Sequence, residues 1–205
     1  GKAAITRLGF TASESDVQKL AKHKKLSIQH RLNDCMGGSY VSLNDPDGVC
    51  LEINHGINKL TALNEEAPLS EWNAVGDIKR VNDTVRNTIE PRVVEKLGHT
   101  LWGASYIKKT VHWYQDTLGL IVSDFQLLKG DTLPNVAFMR CDCGDQASDH
   151  HSIGFGIMPE VGHNHTAFEM NSFEDIAIAN KWLSTKHYRS VWGIGRHIQI
   201  GRAHV

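Results

Sequence analysis

The chain has 205 residues, 40% of them apolar and 22% charged, with 22 basic against 23 acidic side chains and a formal charge of −1. That length suits one large domain or two small ones. The balanced charge gives no electrostatic case for a nucleic acid or an anionic membrane as partner, and no apolar run approaches the roughly 20 residues of a membrane helix.

In chain order, AITRLGFTA (about 3–11) has the pattern of a strand. Ser13 with Asp16 three residues on suits a helix start, and Val17, Leu20 and Ala21 continue a helical stripe to about Leu26. YVSLNDPDGVCLEIN contains two strand runs around the turn Asp45-Pro46-Asp47-Gly48. Residues 56–96 are polar with weak helical patterning and are expected to form a linker or arm. LGHTLWGAS (97–105) is again a strand; Ile107, Val111, Tyr114 and Leu118 then fall at helix spacing, and Gly119 suits the stop. IVSDFQLL, NVAFMRCDC and HHSIGFGIM supply three more strands, and HNHTAFEM (163–170) another. Ser172 and Asp175 resemble a capping pair before a helix with Ile176, Ala179 and Leu183 on one side. The chain ends through WGIGRH. With no initiator Met, a start almost directly in a strand and a final IGRAHV that resembles translated adaptor sequence, a piece cut at both ends is expected.

Cys35, Cys50, Cys141 and Cys143 form no CxxC pair, so reduced thiols and a cytoplasmic location are expected. Histidine is the unusual residue, with twelve copies, several clustered. An internal repeat organises them. His99-Thr100-Leu101-Trp102 and His165-Thr166-Ala167-Phe168 share the pattern His-Thr-aliphatic-aromatic, each on a strand followed by a helix. Arg7-Leu8-Gly9-Phe10 is a third copy with arginine in the histidine's place.

Alternation along HNHTAFEM puts His163, His165, Ala167 and Glu169 on one side of a strand. Two imidazoles and a carboxylate there suggest a metal, although two hydrogen-bonded polar residues near a strand end would look the same. Glu169 lies about 13 Å along the strand from His165, too far to share an ion, whereas His163 is about 6.6 Å away and could share one. His-x-His with a later glutamate also fits half of a cupin signature, but cupins are all-β and this chain has three helix patterns. If βαβββ units close into a curved sheet, their first strands lie side by side and His99 stands beside His165. In the first copy Glu52 follows Arg7 by 45 residues; the same offset from His165 reaches about position 210. Two histidines and a carboxylate would form the facial triad of non-haem iron(II) enzymes.

LGHTLWGASYIKKTVHWYQDTLGL, DHHSIGFG, HNHTAFEM and WGIGRH, in that order over about 97–197, resemble the extradiol ring-cleavage dioxygenases of the vicinal oxygen chelate (glyoxalase) superfamily. A weaker likeness extends over residues 1–55. The resemblance implies an α+β fold of repeated βαβββ modules forming curved mixed sheets around a metal pocket, incomplete at both ends. Residues 1–58 would be a non-metal-binding remnant, 59–96 a linker or arm, and 97–205 a truncated catalytic module. It implies Fe(II), or Mn(II), on His99 and His165, with O2 as co-substrate and a small aromatic diol as substrate, cleaved meta to give a ring-opened product. His151 would accept and return a proton, His197 would bond the ring hydroxyls, Arg196 is a poorer candidate for that role, and Trp192 and Phe155 would line the pocket. A homo-oligomer is expected. The family's tyrosine and glutamate downstream of His197 have no match here, so this chain alone is expected to have little activity. The alternatives are a glyoxalase-type lyase or isomerase, which shares ligands between modules and for which Arg7 is unfavourable, and a non-catalytic small-molecule-binding protein.

Overall fold

The structure is a computed structural model that describes residues 5, 7–31, 35–59, 73, 75–82, 84, 87–196 and 203–204. The chain forms two compact units, residues 1–61 with 99–167, and residues 62–98 with 168–205.

The first unit begins with strand β1 (Arg7–Thr11), helix α1 (Glu14–Lys24) and strands β2 (Gln29–His30), β3 (Ser39–Asn44) and β4 (Cys50–His55). Ser13 starts α1 as expected: its hydroxyl accepts from the Asp16 amide at 3.1 Å, satisfying one of the amides that a helix start leaves open. The sheet order is β1-β4-β3-β2, with β1 parallel to β4 and the other neighbours antiparallel. The two-residue β2 was not visible as a strand in the sequence; it completes a βαβββ unit.

The second module repeats this plan. Strand β5 (Lys96–Ala104), helix α2 (Ile107–Leu118) and strands β6 (Ile121–Gln126), β7 (Val136–Arg140) and β8 (Ile153–Ile157) lie in the order β6-β7-β8-β5, again with the first strand parallel to the last. Strand β9 (Gly162–Glu169) adds to the sheet beside β5. Gly119 ends α2 in the left-handed region, φ 69°, where a residue without Cβ carries no steric cost.

The helix-facing sides of the sheets make the core. Val17 and Ala21 of α1 share it with Val41, Leu51 and Ile53; Ile107, Val111 and Tyr114 of α2 share it with Trp102, Ala137, Met139, Ile153 and Phe155. Helix α2 has no acidic residue in its first turn and no local side-chain cap. Asp47, from the first module's turn, comes to this end of the helix instead: just before the helix it accepts from the Ser105 amide at 3.1 Å and from the Ser105 hydroxyl. A carboxylate there complements the positive end of the helix. Asp45, two residues earlier, accepts from the buried Tyr114 hydroxyl at 3.2 Å. Burial, then the charge of Asp45, pushes the Tyr114 hydroxyl up, so it stays a donor.

In the second unit, helix α3 (Phe173–Thr185) is capped by Ser172, whose hydroxyl accepts from the Asp175 amide. Of the residues expected on one side, Ile176 and Ala179 are half-buried. Asp175 and Ile178 are buried and Leu183 is exposed. Asp175 is drawn inward by Arg92, whose Nε donates to its Oδ1 at 2.7 Å with both side chains under 10% exposed. The strands β10 (Gly195–Arg196) and β11 (Ala203–His204) pair antiparallel.

Candidate metal centre

Side chains alternate along β5, so His99 and Leu101 share one face and Trp102 and Ala104 the other. Trp102 and Ala104 belong to the core cluster, which leaves His99 on the face away from α2. That face is closely packed beside the histidine. Leu101 pairs with Gly154 of β8, and a Cβ at position 154 would meet Leu101 Cδ1 at 2.5 Å.

The repeat places β9 directly beside β5, and the two matched histidines meet. His99 Nε2 is 3.4 Å from His165 Nε2, across 66 positions of sequence. His99 is 4% exposed. The backbone under His165 is pinned from the core side: Trp102 Nε1 donates to Thr100 Oγ1 at 3.0 Å, and Thr100 Oγ1 donates to the His165 carbonyl at 3.1 Å.

The separation and the tautomer suit a shared cation. Two nitrogens bound to one divalent ion at about 2.1 Å can stand at most about 4.2 Å apart, and 3.4 Å falls within that limit. It lies beyond the range of about 2.7–3.2 Å usual for a hydrogen bond from nitrogen. His165 Nδ1 is 2.8 Å from Asn164 Oδ1, which can only accept, so Nδ1 carries the hydrogen and Nε2 presents its lone pair toward His99. Among the described residues, no third His, Cys, Asp or Glu joins the pair.

His151 lies against this pair. Its ring centroid is 4.2 Å from that of His99, and the residue is 2% exposed. Phe138, from β7, lies 4.8 Å from the same ring. Neighbouring His150, exposed at the surface, places its Nδ1 3.1 Å from His151 Nδ1.

Other expected positions fall elsewhere. Phe155 is not a pocket residue: it pairs with Trp102 on the core face, is 1% exposed, and packs on Tyr114 with centroids 4.6 Å apart. The period of two that puts His99 on one side puts Phe155 on the other. His163 turns to Thr166 Oγ1, 2.8 Å away, and its ring edge meets Trp102. Trp192 belongs to the second unit and is 75% exposed. His197 lies outside the described residues, as does the side chain of Arg196. The sequence reading missed Asn164, Phe138 and the Thr100–Trp102 pair. Asn164 sits beside a candidate ligand, but adjacent strand residues point to opposite faces, and only the coordinates show its side chain curling back.

In the first module the matching position carries an ion pair. Arg7 donates to Glu52 at 2.6 Å, and Arg31 donates to the other oxygen of Glu52 at 2.6 Å and stacks 4.0 Å over the Tyr40 ring. Guanidinium groups neutralise the carboxylate there.

A model of the Glyoxalase/Bleomycin resistance protein/Dioxygenase superfamily matches residues 96–205. The chain is 25% identical over 201 residues to metapyrocatechase 2 of Cupriavidus necator, covering 95% of this chain and 57% of that protein. Among solved structures, it superposes on the 2,3-dioxygenase LapB from Pseudomonas sp. KL28 with a TM-score of 0.71 at 20% identity, covering 97% of this chain and 65% of the other. The Mn(II)-bound glyoxalase from Novosphingobium aromaticivorans gives 0.63 at 24% identity, covering 95% and 56%. These likenesses show a shared fold, and the chain spans little more than half the length of the curated relative.

Proposed function

The chain belongs to the glyoxalase/bleomycin resistance protein/dioxygenase superfamily, and from that premise we propose that it comes from a non-haem iron(II)-dependent extradiol dioxygenase that cleaves a catechol-type ring meta to its hydroxyls. The observation that carries this reading is the 3.4 Å approach of His99 Nε2 and His165 Nε2. These two nitrogens would hold Fe(II), or Mn(II) in its place. Such an ion would supply Lewis-acid chemistry for joining an aromatic diol with O2. The expected carboxylate ligand, near position 210, is not among the described residues.

The protein's own groups do the rest. Asn164 holds the His165 lone pair toward the site. Trp102 and Thr100 fix the strand beneath it. His151 takes a proton from the diol side and returns it, a role suited to imidazole because it titrates near neutral pH. Its burial keeps bulk water from competing for that proton. His197 and Trp192 are proposed as substrate contacts. Residues 97–205 are read as the catalytic module, 1–58 as the non-metal-binding one and 59–96 as the linker. No described helix is long and apolar enough to cross a membrane; a cytoplasmic location and a homo-oligomer complete the proposal.

A glyoxalase-type enzyme would draw ligands from both modules. The Arg7–Glu52–Arg31 cluster speaks against that, because its carboxylate is already matched by two guanidiniums. The test is binding of 4-nitrocatechol, read by its absorbance, to the chain with and without Fe(II) under anaerobic conditions. Metal-dependent binding that is lost in H99A and H165A is expected. Binding indifferent to metal would favour a non-catalytic binding protein.

A further inference from the structure

We infer that His150 is a positioning residue for His151: it accepts the hydrogen of His151 Nδ1 and so holds the buried ring in the tautomer that leaves Nε2 able to take a proton. This rests on the reading of His151 as the proton acceptor.

The two Nδ1 atoms stand 3.1 Å apart, inside hydrogen-bond range. A neutral imidazole carries one hydrogen on two nitrogens, so one Nδ1 donates and the other accepts. Only two neutral arrangements exist. If His150 donates, His151 Nδ1 accepts, its hydrogen sits on Nε2, and neither nitrogen can accept a proton without breaking the contact. If His151 donates, its hydrogen sits on Nδ1 and Nε2 keeps a lone pair. The proposed chemistry selects the second arrangement, because Nδ1 is the nitrogen engaged by His150 and the acting nitrogen must be the other.

The surroundings fit this division of labour. His151 is 2% exposed and wedged between His99, at 4.2 Å, and Phe138, at 4.8 Å, so its ring has little freedom to flip. His150 is exposed, and its ring stands at 90° to that of His151, an edge-on approach that directs one ring's nitrogen at the other. With its Nδ1 accepting, His150 carries its own hydrogen on Nε2. The pair thus uses an imidazole where other proton-transfer sites use a carboxylate or amide to fix a histidine's tautomer. An uncharged acceptor avoids burying an anion beside the histidine pair that would hold the metal.

The tautomer can be read without metal or turnover. In the metal-free chain labelled with 15N-histidine, held well above the ordinary histidine value of about 6.5, a long-range proton–nitrogen correlation distinguishes Nδ1–H from Nε2–H for each ring. The signals of His151 are identified by their loss in H151Q. In the parent chain His151 is expected as Nδ1–H. H150N, whose Oδ1 replaces the accepting Nδ1, is expected to keep it. H150L is expected to lose it, with Nε2–H signal appearing while the other histidines keep their shifts. An Nε2–H tautomer in the parent chain overturns the inference without any variant. So does retention of pure Nδ1–H in a folded H150L. If the tautomer is as stated but metal-dependent catechol binding fails, the dioxygenase reading falls and the His150–His151 pairing stands.

Discussion

His99 and His165 were singled out by a four-residue pattern that recurs on two strands, and the structure brings their Nε2 atoms to 3.4 Å. This part of the site was legible because a repeat carries geometry with it: equivalent positions on adjacent strands must face each other. Replacing either histidine with alanine should weaken Mn(II) or Co(II) binding more than about 100-fold, since loss of even an outer-shell partner costs 10–100-fold; isothermal titration of the two variants checks it. Phe155 shows where such reading stops. Its strand was recognised, but its face follows from register against Trp102, which sequence does not reveal. F155A should therefore act on stability. A loss of about 3–5 kcal/mol is expected by chemical denaturation, and a variant as stable as the parent but weaker in catechol binding would return Phe155 to the pocket.

At the scale of elements, all three helices were readable from their spacing, but only the local caps of α1 and α3 were readable with them. Ser13 and Ser172 each sit three residues before an aspartate and each accepts that residue's amide. Helix α2 lacks such a signal, because the carboxylate at its start, Asp47, lies 58 positions from Ser105 in the sequence. D47A should cost about 1–3 kcal/mol, the range for hydrogen bonds lost to a charged group, and should lower the thermal midpoint below that of the parent chain. The short β2 escaped notice for a different reason: two residues carry no period.

Helix α3 falls where its capping pair and spacing put it, but its most buried side carries a charge that spacing does not reveal. Burial pushes the Asp175 carboxyl up, but hydrogen bonds from Ser172 and Arg92, with the charge of Arg92, outweigh it and hold it below the usual carboxylate range. A depressed carboxyl contributes stability above its unfolded value, near about 3.9, and that contribution is lost as pH falls through the lower folded value. D175N, which takes the carboxylate from Arg92 Nε while Glu90 still pairs with its Nη1 at 3.5 Å, should lose about 1.5–3 kcal/mol at neutral pH, the worth of a hydrogen bond between charged groups. The difference from the parent should narrow on acidification below about pH 4; denaturation midpoints across pH 2–7 decide it, and a gap that widens in acid would contradict the sign.

For the whole molecule, the duplicated order β1-β4-β3-β2 and β5-β8-β7-β6 is the repeat made visible. One copy keeps imidazoles and the other closes the matching place with arginines around Glu52. The proposed chemistry requires that the two imidazoles share one ion. Crystals of the chain grown with Mn(II), measured for anomalous scattering, test this most directly. The prediction is a single peak within about 2.2 Å of both His99 Nε2 and His165 Nε2. Manganese bound elsewhere, with the two imidazoles bonded to each other and nothing between them, would contradict it.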